Sequence, residues 1–224
     1  YIKLRYINFI KIIKNGNLKM KLIFDIIISI LLLIILSPLF FIISLAIKMT
    51  SSGEIFYKGL RAGKNNINFK IYKFRTMVQD AENIGGPSTA LNDFRLTKIG
   101  RFLRKYKIDE LPQFINIIKG EMSLVGPRPQ VVYYTDQYKG ELKLILSVKP
   151  GLTDLSTLYF MDMDKVLGSK NADEKYASEI EPIKNSLRLR YVKEKNFLLD
   201  IRILIETVFS LMGIKNITRL NIKP

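Results

Sequence analysis

The chain has 224 residues, 48% of them hydrophobic and 25% charged, a globular composition with room for one sizeable core. It contains no Cys, His or Trp, which excludes disulfides, a thiol nucleophile, thiolate or imidazole metal sites and a Ser-His-Asp triad. Catalysis is left to carboxylates, Lys, Arg, Tyr, hydroxyls or a borrowed metal ion, and the net charge of +16 implies anionic partners: nucleic acid, anionic lipid or a phosphorylated substrate.

The charge is concentrated at the start. Residues 1–76 hold 13 Lys and Arg against only Asp25 and Glu54. The same stretch contains Ile26–Ile47, 22 residues without a charged side chain, long enough as a helix to cross about 30 Å of bilayer core. Lys11, Lys14, Lys19 and Lys21 precede it and suit a surface of anionic lipid. A cleaved signal peptide fits poorly, because the run begins well inside the chain and no small-residue cleavage pattern follows. Ser37-Pro38 sits near its middle, where proline removes a backbone hydrogen bond and imposes a kink. Basic residues flank both ends, with Lys48, Lys58, Arg61 and Lys64 on the far side, so the positive-inside tendency gives no orientation to a spanning helix. A segment that breaks at Ser37-Pro38 and returns to the same face is expected, with a kinked spanning helix as the alternative.

The remainder reads as a mixed, helix-rich α+β domain. Glu54–Leu60 and Phe69–Phe74 have strand content, and Lys64-Asn65-Asn66 marks a turn between them. Gly85-Gly86-Pro87-Ser88 is a loop without legible chemistry. Arg95–Lys107 carries Leu96, Ile99, Phe102, Leu103 and Tyr106 at helical spacing, and Ile108–Lys119 forms a second helix with Gly120 past its end. Gly126-Pro127-Arg128-Pro129 is too rigid for a helix interior, and Pro150-Gly151 reads as a turn. Phe197–Met212 has a broad apolar face, with Gly213 at its end; core packing and an interfacial amphipathic helix are both open to it.

The sharpest chemical feature is Asp109-Glu110, followed by Leu111-Pro112-Gln113. Pro112 is tolerated only in the first turn of a helix, so both carboxylates stand at or before an N-terminus, where amides and the helix dipole favour anions. Taken alone, an acidic first turn is routine capping. Its company is not routine. Arg101, Arg104, Lys105 and Lys107 lie just upstream, and Lys70, Lys73, Arg75, Arg128 and Lys149 sit in apolar or turn-forming segments. Arg128 is held between two prolines, as suits a fork gripping phosphate, although anchoring a loop through backbone carbonyls is its bland alternative. Carboxylates among guanidinium groups, in a chain anchored to membrane, suggest Mg²⁺-assisted phosphoryl chemistry near lipid.

The blocks Lys70-Ile71-Tyr72-Lys73-Phe74-Arg75-Thr76-Met77, Ile108-Asp109-Glu110-Leu111-Pro112-Gln113, Lys119-Gly120-Glu121-Met122-Ser123-Leu124-Val125-Gly126-Pro127-Arg128-Pro129 and Lys149-Pro150-Gly151-Leu152-Thr153, in this order behind a Ser-Pro apolar segment, resemble the bacterial sugar transferase family of monotopic phosphoglycosyl transferases. The resemblance covers roughly residues 19–212, and the chain looks like a small member without extra spanning helices in front. It implies a basic amphipathic segment at 1–21, a re-entrant membrane helix hairpin at 22–50 and a catalytic domain at 51–224, facing the cytoplasm from the bacterial inner membrane. The implied reaction moves a sugar-1-phosphate from a nucleotide diphosphate sugar, usually a UDP-sugar, to polyprenyl phosphate with release of UMP, initiating a polysaccharide, lipopolysaccharide or glycoprotein glycan. Carried over, Asp109 is the nucleophile that forms an aspartyl phosphosugar and holds Mg²⁺, and Glu110 assists by managing a proton or the metal. Arg104 and Arg128 look like phosphate ligands. Lys73 and Arg75 are weaker candidates, because an alternating strand points both to one face that lipid headgroups could meet.

The match has departures. Relatives often continue after the Pro-Gly turn with Gly-Trp-Ala-Gln, where this chain has Asp154-Leu155-Ser156-Thr157, which puts donor identity in question. Two other classes compete. A membrane-tethered nucleic-acid-binding module accounts for the charge, but no RNA-recognition motif is present, so no nucleic acid partner is expected. A membrane scaffold accounts for the anchor, yet leaves Asp109-Glu110 and Gly-Pro-Arg-Pro without a purpose. A homo-oligomer is compatible with all three.

Overall fold

The computed structural model of the chain describes residues 2–84, 93–161, 172–214, 216–220 and 222, with side chains from Lys19 onward except those of Glu82, Ala172 and Asp173. The Gly85–Ser88 loop lies outside the described residues. The architecture is helix-rich with two small sheets, in agreement with the mixed α+β reading.

Helix α1 spans Ile2–Thr50 and runs through Ser37-Pro38 as one element. Pro38 has no N–H to give to the carbonyl of Ile34, one turn back. The Ser37 hydroxyl donates to that same carbonyl at 2.8 Å, so no backbone oxygen is stranded by the proline. Lys19–Thr50 is the one described stretch long and apolar enough to cross a membrane. Its inward face is nevertheless part of the core. Phe24, Ile28, Leu32, Leu33 and Leu36 pack on the main hydrophobic cluster, and Ile43 and Ile47 form a second cluster with Phe74 and Leu103. Polar bonds reinforce the first contact: Lys21 Nζ donates to Asp200 at 2.6 Å and to the Val125 carbonyl at 3.1 Å, and Ser123 Oγ donates to Asp25 at 2.6 Å. The outward face, including Ile27, Ile34, Ile35, Phe41, Ile42 and Met49, is exposed.

Strands β1 (Phe56–Ala62) and β2 (Asn68–Phe74) pair antiparallel from Phe56 opposite Phe74 to Ala62 opposite Asn68. The expected turn closes the hairpin, with Asn65 and Asn66 both at positive φ, a conformation asparagine tolerates better than most residues. β1 starts two residues later than the sequence predicts. Residues 51–55 are spent on leaving α1, where Arg75 donates to the carbonyls of Ser51 and Ser52 and Lys48 to that of Gly53.

Helix α2 (Lys98–Lys105) begins at Thr97, whose hydroxyl accepts from Gly100 N at 2.9 Å. It is shorter than the predicted Arg95–Lys107, because Arg95 is turned back onto Asp93 before the cap and Lys107 adopts φ +57° after it. The predicted helix over Ile108–Lys119 is divided. Ile108–Glu110 forms a tight 3₁₀ turn, and α3 covers Gln113–Ile118 with Pro112 at its N-cap. The missing N–H of Pro112 prevents a regular bond back to Ile108, whose carbonyl is reached instead by Leu111 N at 3.2 Å. Gly120 takes φ +78° just past the end of α3, as a C′ glycine should.

Strand β3 (Ser123–Val125) pairs in parallel with β4 (Gly151–Thr153). Pro150-Gly151 is therefore the entry to a strand rather than a turn. A Cβ on Gly151 would fall 2.0 Å from Gly126 N, so only glycine permits this approach of two backbones. The remaining α-helices among the described residues are α4 (Val132–Thr135), α5 (Leu155–Tyr159), α6 (Ala172–Lys175), α7 (Glu181–Glu194) and α8 (Phe197–Leu211), with a π-helical segment at Tyr176–Ile180 between α6 and α7. α8 starts at Asn196, whose side chain accepts from Leu199 N. The core-packing reading of α8 holds on one side, where Ile203 is fully buried and Leu199 and Leu204 pack on the core, and on the other Leu198, Val208, Leu211 and Met212 are exposed.

The sheet and helix that flank the carboxylates are joined by one buried amide. Asn116, at 0% exposure, accepts from Tyr72 N at 2.9 Å and donates to the Lys70 carbonyl at 2.8 Å and to Glu121 at 2.7 Å. Truncation strands a buried donor and acceptor, each costing about 1–3 kcal/mol. Asn116→Ala is expected to lower the melting temperature by about 5–10 °C, as read by thermal unfolding in detergent, whereas exposed Asn83→Ala leaves it unchanged.

Candidate active site

The carboxylate pair occupies the 3₁₀ turn between α2 and α3. Lys107 at positive φ turns the chain after α2, and Lys107 N still bonds the Arg104 carbonyl at 3.1 Å. This keeps the last turn of α2 beside the acidic residues. Asp109 is only 7% exposed. Glu110 is also largely enclosed, its side chain 15% exposed.

Glu110 gathers cations from two other parts of the fold. Lys73 Nζ, near the end of β2, donates to Oε1 at 2.9 Å. Arg128 grips the carboxylate with both guanidinium nitrogens, NH1 to Oε2 at 2.8 Å and NH2 to Oε1 at 2.5 Å, the bidentate geometry in which arginine is strongest. Arg128 is itself held: NH1 donates to the Leu152 carbonyl at 3.0 Å, and its backbone N–H donates to Asp154 at 3.2 Å. On either side, Gly126 N bonds the Thr153 carbonyl and Gly151 N the Pro127 carbonyl, both at 3.0 Å. The stiffness expected of Gly-Pro-Arg-Pro is thus reinforced by stapling to β4, and the bland loop-anchoring bond coexists with the grip on Glu110.

The two carboxylates live in opposite electrostatic conditions. Burial disfavours charge on Glu110, yet the adjacent Arg128 and Lys73 override it and hold the carboxyl well below the usual glutamate range. Burial also pushes Asp109 up, and the charge of Glu110 adds to this; Lys73, Arg104 and Lys107 oppose it without reversing the direction. Glu110 is saturated with charge-assisted bonds. Asp109 has no hydrogen bond or ion pair among the described residues.

The structure therefore brings Asp109, Glu110, Lys73 and Arg128 together, with Arg104 close enough for its charge to act on Asp109. Arg75 is not in the group. It follows the last residue of β2, so strand alternation no longer governs its direction, and its guanidinium is spent on Ser51 and Ser52 at the exit of α1. Asp154-Leu155-Ser156-Thr157 caps α5 and braces the arginine loop. Asp154 Oδ1 accepts from Thr157 N at 2.7 Å, Ser156 Oγ and Thr157 Oγ1 also bond this carboxylate, and the same side chain positions Arg128. An Asp three residues before Thr is a helix-start pattern, so this assignment was available from sequence. Beyond it lies a network that sequence reasoning missed. Glu181 accepts from Arg188 at 3.0 Å and from Gln130 at 2.9 Å, and Gln130 also donates to the Tyr176 hydroxyl at 3.1 Å. The seven-residue spacing of Glu181 and Arg188, two turns of one helix, was the available signal.

No group of three or more carboxylates capable of caging a metal occurs among the described residues. That donor set does not suit a preformed protein cage. It does fit Mg²⁺, which is commonly held by one or two carboxylates together with substrate phosphates and water, and Asp109 is the carboxylate with free lone pairs.

Comparison with known proteins identifies the family. The chain is 37% identical over 199 residues to the UDP-glucose:undecaprenyl-phosphate glucose-1-phosphate transferase of Klebsiella pneumoniae, covering 87% of this chain and 41% of that protein. It is 33% identical over 193 residues to the UDP-N-acetylgalactosamine-undecaprenyl-phosphate N-acetylgalactosaminephosphotransferase of Aeromonas hydrophila, covering 84% and 42%. It is 35% identical over 200 residues to the exopolysaccharide production protein ExoY of Sinorhizobium fredii, covering 83% and 82%. The chain thus spans about two fifths of the length of the first two and most of the third. A sequence profile of the bacterial sugar transferases matches residues 16–213, a range that contains α1 from Gly16 onward, the carboxylate turn, both sheets and α8, and the chain belongs to the bacterial sugar transferase family.

Proposed function

We propose that the chain transfers a sugar-1-phosphate from a UDP-sugar to undecaprenyl phosphate, releasing UMP, as the first membrane step in building a bacterial surface glycan. The observation that carries this reading is the asymmetry of the pair: a buried carboxylate without a partner beside one locked between Arg128 and Lys73. A carboxylate committed to two cations is a poor base and a poor nucleophile. Asp109 is free to be the nucleophile.

In the first half-reaction an Asp109 oxygen attacks the sugar-bearing phosphorus, the bond from that phosphorus to the bridging oxygen breaks, and UMP leaves with the electron pair. In the second, an oxygen of the lipid phosphate attacks the same phosphorus and Asp109 is released. Arg128, Lys73 and Arg104 offset the charge that would otherwise set an anion against an anion. Glu110 keeps Arg128 and Lys73 aimed at the site, a positioning role in place of proton transfer. Asp109, with diphosphate oxygens, would hold Mg²⁺, which supplies further charge neutralisation when bound. The donors and acceptor named for the relatives support a UDP-sugar and undecaprenyl phosphate here.

We also place α1 in one leaflet of the cytoplasmic membrane, with the rest of the chain at the cytoplasmic surface and the basic start on anionic headgroups. Support comes from the two ends of the apolar Lys19–Thr50 stretch of α1: Lys21 and Asp25 bond the core through Asp200 and Ser123, and Ile43 and Ile47 pack with Phe74 and Leu103. A stretch fastened near both its ends to one folded unit does not leave that unit behind on crossing a bilayer. Its exposed apolar face and that of α8 then meet lipid together.

Three outcomes are expected. Asp109→Asn lowers UMP release at least about 10³-fold and abolishes a sugar-phosphate adduct on the Asp109 peptide, read by mass spectrometry after incubation with donor alone; full turnover in this variant sinks the nucleophile assignment. EDTA stops turnover and Mg²⁺ restores it, while titration calorimetry finds Mg²⁺ binding that strengthens with donor present, since of the Asp109–Glu110 pair only Asp109 is free to bind it. Because the chain has no native Cys, Lys19→Cys and Lys48→Cys can be labelled singly in sealed vesicles with an impermeant maleimide. Both label from the same side, and labelling from opposite sides refutes the one-leaflet topology.

A further inference from the structure

Lys184 of α7 is a cation whose surroundings do not account for it. Its Nζ lies 4.9 Å from the ring centre of Tyr176 and 5.7 Å from that of Phe160, and the residue is half-buried. It makes no hydrogen bond or ion pair among the described residues. Beside the rings of Phe160, past the end of α5, and Tyr176, in the π-helical segment, four charged groups act on it: Arg128 from the loop after β3, Asp154 at the start of α5, and Glu181 and Arg188 on its own helix. Both carboxylates are committed, Asp154 to the α5 cap and to Arg128 N, Glu181 to Gln130 and Arg188. The other two charges, Arg128 and Arg188, are cations.

Magnitudes show that this environment is incomplete. Aromatic faces return about 0.5–2 kcal/mol to an ammonium, whereas desolvating a charged amine without acceptors costs more than that and is relieved by neutralisation. Accordingly, burial, with Arg188 and Arg128 adding, pushes the Lys184 amine down to about 7. Three unfilled N–H donors over the ring of Tyr176, whose hydroxyl accepts from Gln130 two residues past Arg128, make a place for an anion that arrives from outside.

We infer that Lys184 is a phosphate-binding residue of the active site, the second cationic contact, beside Arg128, for a substrate phosphate group. This rests on the proposed transferase reaction and adds a contact on α7, an element outside all the blocks that carry the family resemblance. The phosphate belongs to the nucleotide donor, to the carrier lipid, or to each in turn, since both must approach the phosphorus that Asp109 attacks.

Wild-type protein decides the matter by competitive acetylation at pH 7.5, with the Lys184 peptide read by mass spectrometry. UMP with Mg²⁺, or undecaprenyl phosphate in micelles, is expected to slow acetylation of Lys184 about tenfold, and uridine is not. Protection by UMP assigns the donor, by the lipid the acceptor, and by both a shared subsite; protection by neither overturns the inference. In turnover, Lys184→Met lowers kcat/KM for the protecting substrate about tenfold and Lys184→Arg restores it to within about threefold. The wild-type value falls as pH rises from 7 to 9 and the amine loses its proton, while the Lys184→Arg value stays flat. A Lys184→Met enzyme with unchanged kcat/KM overturns the inference, as does one that Arg does not rescue. Turnover of UDP-sugars without protection refutes the subsite alone, and protection without turnover of any UDP-sugar refutes the transferase reading while leaving the anion site.

Discussion

The clamp of Arg128 and Lys73 on Glu110 is the interaction on which the site depends. It joins three segments far apart in the chain: the end of β2, the 3₁₀ turn before α3 and the loop leaving β3. Each brings its own bracing. Asn116 ties β2 to α3, Asp154 and the Leu152 carbonyl hold Arg128, and the Gly126–Gly151 approach fixes the loop against β4. A buried ion pair of this kind roughly balances its own desolvation, so its value lies less in stability than in fixing where charges sit. Asp109 gains a defined electrostatic setting because its neighbour absorbs the cations.

The same economy appears where α1 meets the core. Asp200 accepts from Lys21 and lies 2.7 Å from the Tyr191 hydroxyl, and both Lys21 and Tyr191 also reach the Val125 carbonyl. Val125 ends β3, directly before the Gly-Pro-Arg-Pro loop. The Lys21 contact of α1 is thus separated from Arg128 by only Gly126 and Pro127, and α1 and the carboxylate turn share one scaffold.

Much of this was legible from local rules. Pro112 limits where a helix can begin, which placed Asp109 and Glu110 before it; the prolines around Arg128 announced a rigid support; period-2 and asparagine signals gave the hairpin. The failures have identifiable causes. Arg75 was grouped with Lys73 because alternation was extended one residue beyond the strand. Pro150-Gly151 looked like a turn because a glycine needed for backbone approach carries the same letter as one needed for positive φ. Asn116, Lys184 and the Lys21–Asp200 pair were invisible for a different reason: their partners are supplied by tertiary folding across up to 179 positions, and no local pattern encodes such a meeting.

On the one-leaflet topology proposed above, the fastening of the Lys19–Thr50 stretch of α1 near both its ends bears on the lipid environment. A helix that crosses a bilayer must match its hydrocarbon thickness, and mismatch is met by tilt or local deformation. A helix whose ends are pinned to one folded body has its depth set by that body. Membranes that thicken or thin with temperature or lipid supply would then leave the distance between carboxylate and headgroups unchanged, and chemistry at the surface would be insulated from the mechanics of the bilayer beneath it.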